Sequence, residues 1–164
     1  MSAPVDSASF RAAMARFPGA VTIVTTGRGQ GRRGITATAV CSVTTEPPSL
    51  LVCLNRKTGT CSAVAESGCF SVNLWPHDCA SLALVFAGAS GATGAEKFET
   101  GDWSEDGRGL PVLSNAITAF SCDVTDSMVV GSHLIFVGKV VAMARAEGAS
   151  LIYHQSRFHH LEQA

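Results

Sequence analysis

Gly34-Ile-Thr-Ala-Thr-Ala-Val-Cys-Ser-Val43, followed after three residues by Pro47-Pro-Ser-Leu-Leu-Val-Cys-Leu-Asn55, is the stretch on which the reading of this chain turns. The first half is dense in small and hydroxyl-bearing residues yet sits where a buried strand is expected. A core strand usually presents large apolar side chains, so Thr36-Ala-Thr-Ala39 reads as a wall against which something else packs. Small residues let a backbone approach a flat ligand closely, and threonine and serine hydroxyls add donors and acceptors without bulk. The plainer alternative is an ordinary strand of small residues beneath a helix.

Outward from that stretch, hydrophobic periodicity sets the elements. Phe10, Ala13, Met14 and Phe17 recur at helical spacing, predicting an amphipathic first helix capped by Ser7 or Ser9 and ended by Pro18-Gly19. Val21 to Thr26 alternates as a strand, and a Gly-rich loop returns the chain into a strand over Ile35 to Val43. Pro47-Pro48 breaks that strand, and Leu50 to Leu54 makes a buried third. Thr58 or Thr60 caps a helix stopped by Gly68, Cys69 to Leu74 forms a fourth strand, and Asp78 caps a helix ending at Gly88. Residues 89–109 read as a long loop with one short helix near Ala95 to Phe98, a length that invites a functional role. Ala116 to Thr125, Leu134 to Ala144 and Leu151 to Tyr153 complete the strands. Six or seven strands without regular βαβ alternation point to a mainly β fold, a small closed or split β-barrel with α-helices tucked between its strands.

At 164 residues the chain fits one domain, expected to span 1–164 with its core over about 8–161. Hydrophobic residues make up 46% and charged ones 15%, which is apolar for a small monomer and suggests a subunit interface. A net charge of -1 offers no basic excess for a phosphate backbone, so nucleic acid is not an expected partner. No secretory signal and no membrane-length apolar run are seen, so no membrane association is expected. The six cysteines include no Cys-x-x-Cys pair and read as small buried hydrophobes of a reducing cytoplasm.

Candidate chemistry is sparse. His133, in Gly131-Ser-His, could bond an amide or phosphate or donate a proton, or be a turn histidine bonded locally. Asn55-Arg-Lys-Thr58 leads from a buried strand into a helix, where free amides with a hydroxyl and a cation make an anion site; a capping turn with solvated charges is the alternative. The cluster Arg28 to Arg33 reads as a solvated hairpin loop, against a phosphate site. His154, His159 and His160 lack acidic or cysteine ligands at usual spacing, so no metal is expected. Asp102, Glu105 and Asp106 read as solvated loop charges.

Taken in order, Phe10-Arg-Ala-Ala-Met14, Gly34 to Val43, Pro48-Ser-Leu-Leu-Val, Asn55 to Thr58, Phe70-Ser-Val-Asn73, Phe86-Ala-Gly88, Gly131-Ser-His133, Leu151-Ile-Tyr153 and Arg157-Phe-His159 resemble the short-chain flavin reductases of two-component monooxygenase systems. Each motif is short, but their order and spacing together are specific. Within the family the likeness is to the reductase component of 4-hydroxyphenylacetate 3-monooxygenase, the FMN reductase of pyrimidine breakdown and the corrin reductase of cobalamin synthesis. The resemblance implies an FMN-binding split β-barrel of Greek-key type that works as a homodimer in the cytoplasm. It implies NADH-dependent reduction of FMN or FAD, with reduced flavin diffusing to a partner oxygenase; a flavin-binding module without turnover is the rival of another class.

By the same resemblance, Thr36, Ala37, Thr38, Ala39, Val40, Cys41, Ser42 and Val43 would lie along the isoalloxazine, with Ser42 bonding its polar edge. Asn55, Lys57 and Thr58 would hold the ribityl chain and phosphate. Phe86 and Ala87 would complete the flavin pocket, with Lys97 and Phe98 closing over it. His133 would contact the nicotinamide, and Tyr153 to Arg157 would line the NADH side. The chain departs from the family at Ser132, where many members carry Asp, and Arg56-Lys57-Thr58-Gly-Thr60 is one of the family's more variable stretches.

Overall fold

The computed structural model describes residues 4–161. Helix α1 (Ser7–Met14) starts at Asp6, whose carboxylate accepts from the Ala8 and Ser9 amides at 2.9 and 3.0 Å and from the Ser9 hydroxyl at 2.6 Å. The expected serine cap is therefore corrected: a carboxylate satisfies the open amides and also favours the positive end of the helix. Nothing on α1 is buried; Phe10, Met14 and the following Phe17 stand 58%, 45% and 68% exposed.

The strands are β1 (Gly19–Ala20), β2 (Thr22–Thr26), β3 (Arg33–Ala37), β4 (Val40–Thr45), β5 (Pro48–Asn55), β6 (Cys69–Leu74), β7 (Trp103–Glu105), β8 (Pro111–Leu113), β9 (Thr118–Val130), β10 (His133–Arg145), β11 (Leu151–His154) and β12 (Arg157–His160). Two further helices, α2 (Gly59–Ser67) and α3 (Ala80–Phe86), lie between them. Seven strands form one antiparallel sheet in the order β3-β2-β6-β9-β10-β5-β4. Its two edges, β3 and β4, are consecutive in sequence and joined only by Thr38-Ala39, so the sheet curls until its ends meet. The single strand expected over 35–43 is thus two strands hinged at that pair. The two edges do not hydrogen-bond to each other, so the barrel is split there and their outer backbone groups stay unpaired with any strand.

All seven strands contribute to one apolar cluster, including Val24, Val52, Phe70, Cys122 and Phe136, with Cys61 and Val64 of α2 packed into it. A second cluster lies outside the barrel, where Val21, Ile23, Trp75, Phe86, Phe98 and Leu151 pack around α3. Strand β2 is buried along its whole length because Val24 belongs to the first cluster and Ile23 to the second.

The cap of α3 also differs from expectation. Cys79 occupies the N-cap position without a side-chain bond, so Asp78 does not cap it. Thr58 does cap α2, accepting from the Cys61 amide at 3.3 Å, and Gly68 ends that helix at φ 67°. The long loop folds tightly. A 3-10 turn over Gly94–Glu99 is started by a capping box, in which the Glu96 carboxylate accepts from the Thr93 amide at 3.0 Å. Strands β7 and β8 follow, and buried Thr25, Ser71 and Asn73 tie residues 111–113 to the barrel.

Asp106 is not a freely solvated charge. It accepts from the Arg108 and Leu110 amides at 2.8 and 2.9 Å, and these bonds with the nearby Arg108 guanidinium outweigh burial and hold its carboxyl below the usual range. Nor are the cysteines uniformly buried, since Cys41 is exposed while Cys61 and Cys122 are inside.

Candidate functional site

Along β3 and its hinge, small side chains leave a groove with three hollows. The first, of about 440 Å³, lies at the α2 end and is lined by Arg33, Gly34, Thr58, Gly59, Ala87 and Lys97, with the 88–94 loop as its outer wall. The second, of about 250 Å³, is bounded by Thr36, Thr38, Ala83, Leu84, Tyr153 and Phe158. Ala87 lines both. The third, of about 420 Å³, runs past Pro18, Gly19, Val40, Val72 and Phe120 and shares Thr38 with the second.

The floor of the first hollow depends on glycine. A methyl group on Gly34 would fall 2.5 Å from Phe86 Cε1 and 3.2 Å from Phe98 Cζ, so only a residue without Cβ lets β3 pass this close to α3. Beneath it Phe86, Phe98 and Trp103 form an aromatic cluster with ring centroids 4.9–5.2 Å apart. Phe98 is accordingly a core side chain supporting the wall. The Thr36 hydroxyl donates to the Ala83 carbonyl at 2.6 Å and fastens β3 to α3.

Two cations belong to this hollow, and none of its lining residues is acidic. The Lys97 ammonium donates to the Phe86 and Gly34 carbonyls at 3.1 and 3.4 Å, and burial lowers its pKa. Arg33, from the Gly-rich cluster, lines the same space. The sequence reading did not place Arg33 in the site. Its signal was there, a basic run flanking the small-residue strand, but a solvated loop and a phosphate site share that signature.

The other expected residues fall in three places. Asn55 and Thr58 form the turn into α2: the Asn55 side-chain oxygen accepts from the Lys57 amide at 3.0 Å, and its carbonyl accepts from the Thr58 hydroxyl at 2.8 Å. The capping turn is therefore made, with Thr58 also lining the first hollow and Lys57 exposed beside it. His133 stands directly across from Asn55 in the β10–β5 register, its Nδ1 2.9 Å from the Ser132 hydroxyl, and it lines none of the three hollows. Tyr153 lines the second hollow beside Phe158, with centroids 5.4 Å apart, whereas Arg157 is exposed at the β11–β12 turn. Ala37 pairs with Thr22, Ala39 lies exposed in the hinge with its carbonyl accepting from the Cys53 amide at 3.0 Å, and Cys41, Ser42 and Val43 lie exposed on edge strand β4.

Among the described residues no group of three or more His, Cys, Asp or Glu side chains is arranged to hold a metal. The histidines near the C-terminus form only pairwise ring contacts, such as His154 with His159 at 5.8 Å. What the groove offers is a shallow, small-walled slot for a flat group and, at one end, positive charge without a carboxylate. That suits a planar ligand with an anionic tail.

The comparisons with known proteins agree with this geometry. The flavin reductase like domain family matches residues 14–162. The FMN reductase (NADH) RutF of Pseudomonas syringae pv. syringae strain B728a is 41% identical over 160 residues, covering 97% of this chain and 89% of the relative. BorF, the flavin reductase component of a bacterial two-component tryptophan halogenase, superposes with a TM-score of 0.88 at 30% identity, covering 97% of this chain and 100% of that one. The Streptomyces globisporus C-1027 NADH:FAD oxidoreductase SgcE6, solved in complex with NAD and FAD fragments, gives a TM-score of 0.88 at 26% identity over 99% of this chain and 96% of that one. With a near end-to-end match in both sequence and fold, this chain belongs to the flavin reductase like domain family.

Proposed function

We propose that the chain is an NADH-dependent flavin reductase that reduces FMN, or FAD, and releases it to a flavin-dependent oxygenase by diffusion. The observation that carries this reading is the small-walled groove leading into a hollow with two cations and no acid. Bound flavin and nicotinamide supply the hydride chemistry themselves. The protein then has to position, orient and shield.

The Thr36–Ala39 wall admits a flat ring because nothing on it projects far. Arg33 and Lys97 attract an anionic tail, and the amides at the start of α2 add to that field. Tyr153 and Phe158 offer an apolar face on which a nicotinamide can stack, and stacking brings donor and acceptor atoms to roughly 3–3.5 Å. His133 is assigned to orienting the nicotinamide carboxamide from its position directly across from Asn55, a role that steady-state kinetics test.

We also assign the chain a homodimeric state and one domain over residues 1–164. Phe10, Met14 and Phe17 on one side, and Met128, Val129 and Val130 at the end of the β9–β10 hairpin, expose apolar surface that a second copy would cover. Light scattering should report twice the 17.0 kDa chain mass. The six free cysteines support action in a reducing cytoplasm. No helix among the described residues is long and apolar enough to cross a membrane.

The decisive experiment is a matrix of NADH and NADPH against FMN, FAD and riboflavin, following NADH absorbance anaerobically and in air. NADH oxidation dependent on added flavin supports the reading. Tight flavin binding with no oxidation above background would make the chain a binding module instead.

A further inference from the structure

Arg33 begins β3 at the rim of the first hollow, and its side chain spans the starts of two helical segments. A methyl group on Gly59, the first residue of α2, would lie 3.9 Å from Arg33 Cδ and Nε; one on Gly94, which opens the 3-10 turn, would lie 3.3 Å from Nη1. The guanidinium therefore lies across the space between these two glycines, and at Gly94 a methyl group would be closer than ordinary contact. Nη1 is fixed there, donating to the Gln30 and Arg32 carbonyls at 3.1 and 2.7 Å. No hydrogen bond from Nε or Nη2, and no ion pair to a carboxylate, is found among the described residues. Glu96, in the same loop as Gly94, is committed to the Thr93 cap.

We propose that Arg33 reads the terminal phosphate monoester of FMN and so makes FMN, not FAD, the preferred flavin of this chain. The inference rests on the flavin reductase reading and adds its selectivity. A phosphate monoester carries close to two negative charges at neutral pH and has three free oxygens. The corresponding phosphate of FAD is joined through an anhydride oxygen to a second phosphate, so it keeps one charge and two free oxygens, and its chain must continue outward. Arg33 discriminates on both counts. Its planar fork, always charged, matches two phosphate oxygens at once, which an ammonium cannot do. Its position across the gap between Gly59 and Gly94 obstructs the exit that an adenosine extension would need. Riboflavin, with no phosphate, is indifferent to it.

The test is calorimetric titration of FMN, FAD and riboflavin into the full chain and into Arg33→Met and Arg33→Lys at one ionic strength. Arg33→Met should weaken FMN on the order of tenfold to a hundredfold, the range for a hydrogen-bonded charge partner. It should leave riboflavin unchanged, which also certifies that the variant is folded. FAD should weaken less than FMN, so that the FMN preference shrinks by about tenfold, with Arg33→Lys recovering only part of it. Parallel loss of FMN and FAD, equal loss of FMN and riboflavin, or no change in FMN would overturn the assignment. Those outcomes leave the reductase reading intact provided the unsubstituted chain oxidises NADH with any flavin; failure of that control sinks the reductase reading itself.

Discussion

Substituting Gly34 by alanine isolates the contact that shapes the proposed phosphate end of the groove. The added methyl would sit 2.5 and 2.8 Å from Cε1 and Cδ1 of Phe86, closer than carbon atoms tolerate. Phe86 has nowhere easy to go, being fully buried and wedged between Phe98 and Trp103 at 5.1 and 5.2 Å. Overpacking of this kind costs about 1–3 kcal/mol. Alanine is intrinsically better than glycine in a strand by roughly 0.5–1 kcal/mol, so from the middle of both ranges the net loss is roughly 1 kcal/mol. At this chain size the thermal midpoint should fall by about 2–4 °C. Flavin binding should suffer too, because the Phe86 carbonyl anchors Lys97 and Ala87 lines two hollows. Scanning calorimetry and FMN titration measure both effects. Pairing the substitution with Phe86→Leu supplies the control. Leucine is shorter than the clashing ring edge, so the double variant should lose less stability than the sum of the singles by at least about 0.5 kcal/mol. Strict additivity, or a Gly34→Ala chain as stable as the original, would refute the argument, since the favourable propensity change would then be acting unopposed.

Five further outcomes are expected. Thr36→Val removes the bond to the Ala83 carbonyl, which also accepts from the Ala87 amide; the loss should be only about 0.5–1.5 kcal/mol in urea unfolding, with a larger rise in the apparent KM for flavin. His133→Ala should raise the KM for NADH with little change in kcat, and unaltered steady-state kinetics would remove His133 from the site. Burial lowers the Lys97 pKa below 10.5, so the unfolded chain binds more protons than the folded one between the lowered value and 10.5. Stability from this group therefore rises with pH across that window, while FMN affinity falls as the ammonium is lost; Lys97→Met should flatten the affinity profile. Desolvation pushes Cys122 up from 9.0 to about 12, which makes the folded chain hold a proton that the unfolded chain releases, so its contribution to stability declines from pH 9.0 towards 12. In native protein, iodoacetamide should label exposed Cys41 first and Cys122 only on unfolding, as mass mapping would show.

How far the sequence could be read depended on whether a feature was local or came from closure of the barrel. Cys69–Leu74 and Gly59–Ser67 were legible because alternation, a threonine cap and a terminal glycine are written in consecutive residues. The Thr38-Ala39 hinge was not, because the pattern of Ile35 to Val43 is continuous and only the pairing of β3 with β2 and of β4 with β5 divides it. Strand β12 went unread because Arg157 to His160 carries little apolar signal and is ordered by pairing with β11. The same limit applies to the site. Thr36, Thr38, Ala87 and Tyr153 were placed by resemblance and line the hollows. Arg33 needed the glycines at 59 and 94, which are distant in sequence, to be brought round its side chain.

The position of the groove follows from the same closure. Within a sheet, interior strands spend their amides and carbonyls on one another, and only edge strands retain groups for a ligand. Here the two edges are β3 and β4, and the chain crosses between them at Thr38-Ala39, where Val40 turns its amide to the Thr38 carbonyl at 3.0 Å and β4 begins. On the proposed reading, a flat heteroaromatic ring laid at this seam meets unpaired backbone on its polar edge and small side chains on its face. Large side chains would fill the seam and complete the core, at the expense of the slot. The run of Thr and Ala at 36–39 is therefore a departure from strand packing that the barrel sustains elsewhere, through the aromatic cluster under Gly34 and the apolar interior to which all seven strands contribute. Filling the seam tests the trade directly. Ala39→Leu, at an exposed hinge position, should leave the thermal midpoint close to that of the parent while weakening FMN and riboflavin alike. Affinities for FMN and riboflavin that both match the parent's would place the ring somewhere other than this seam.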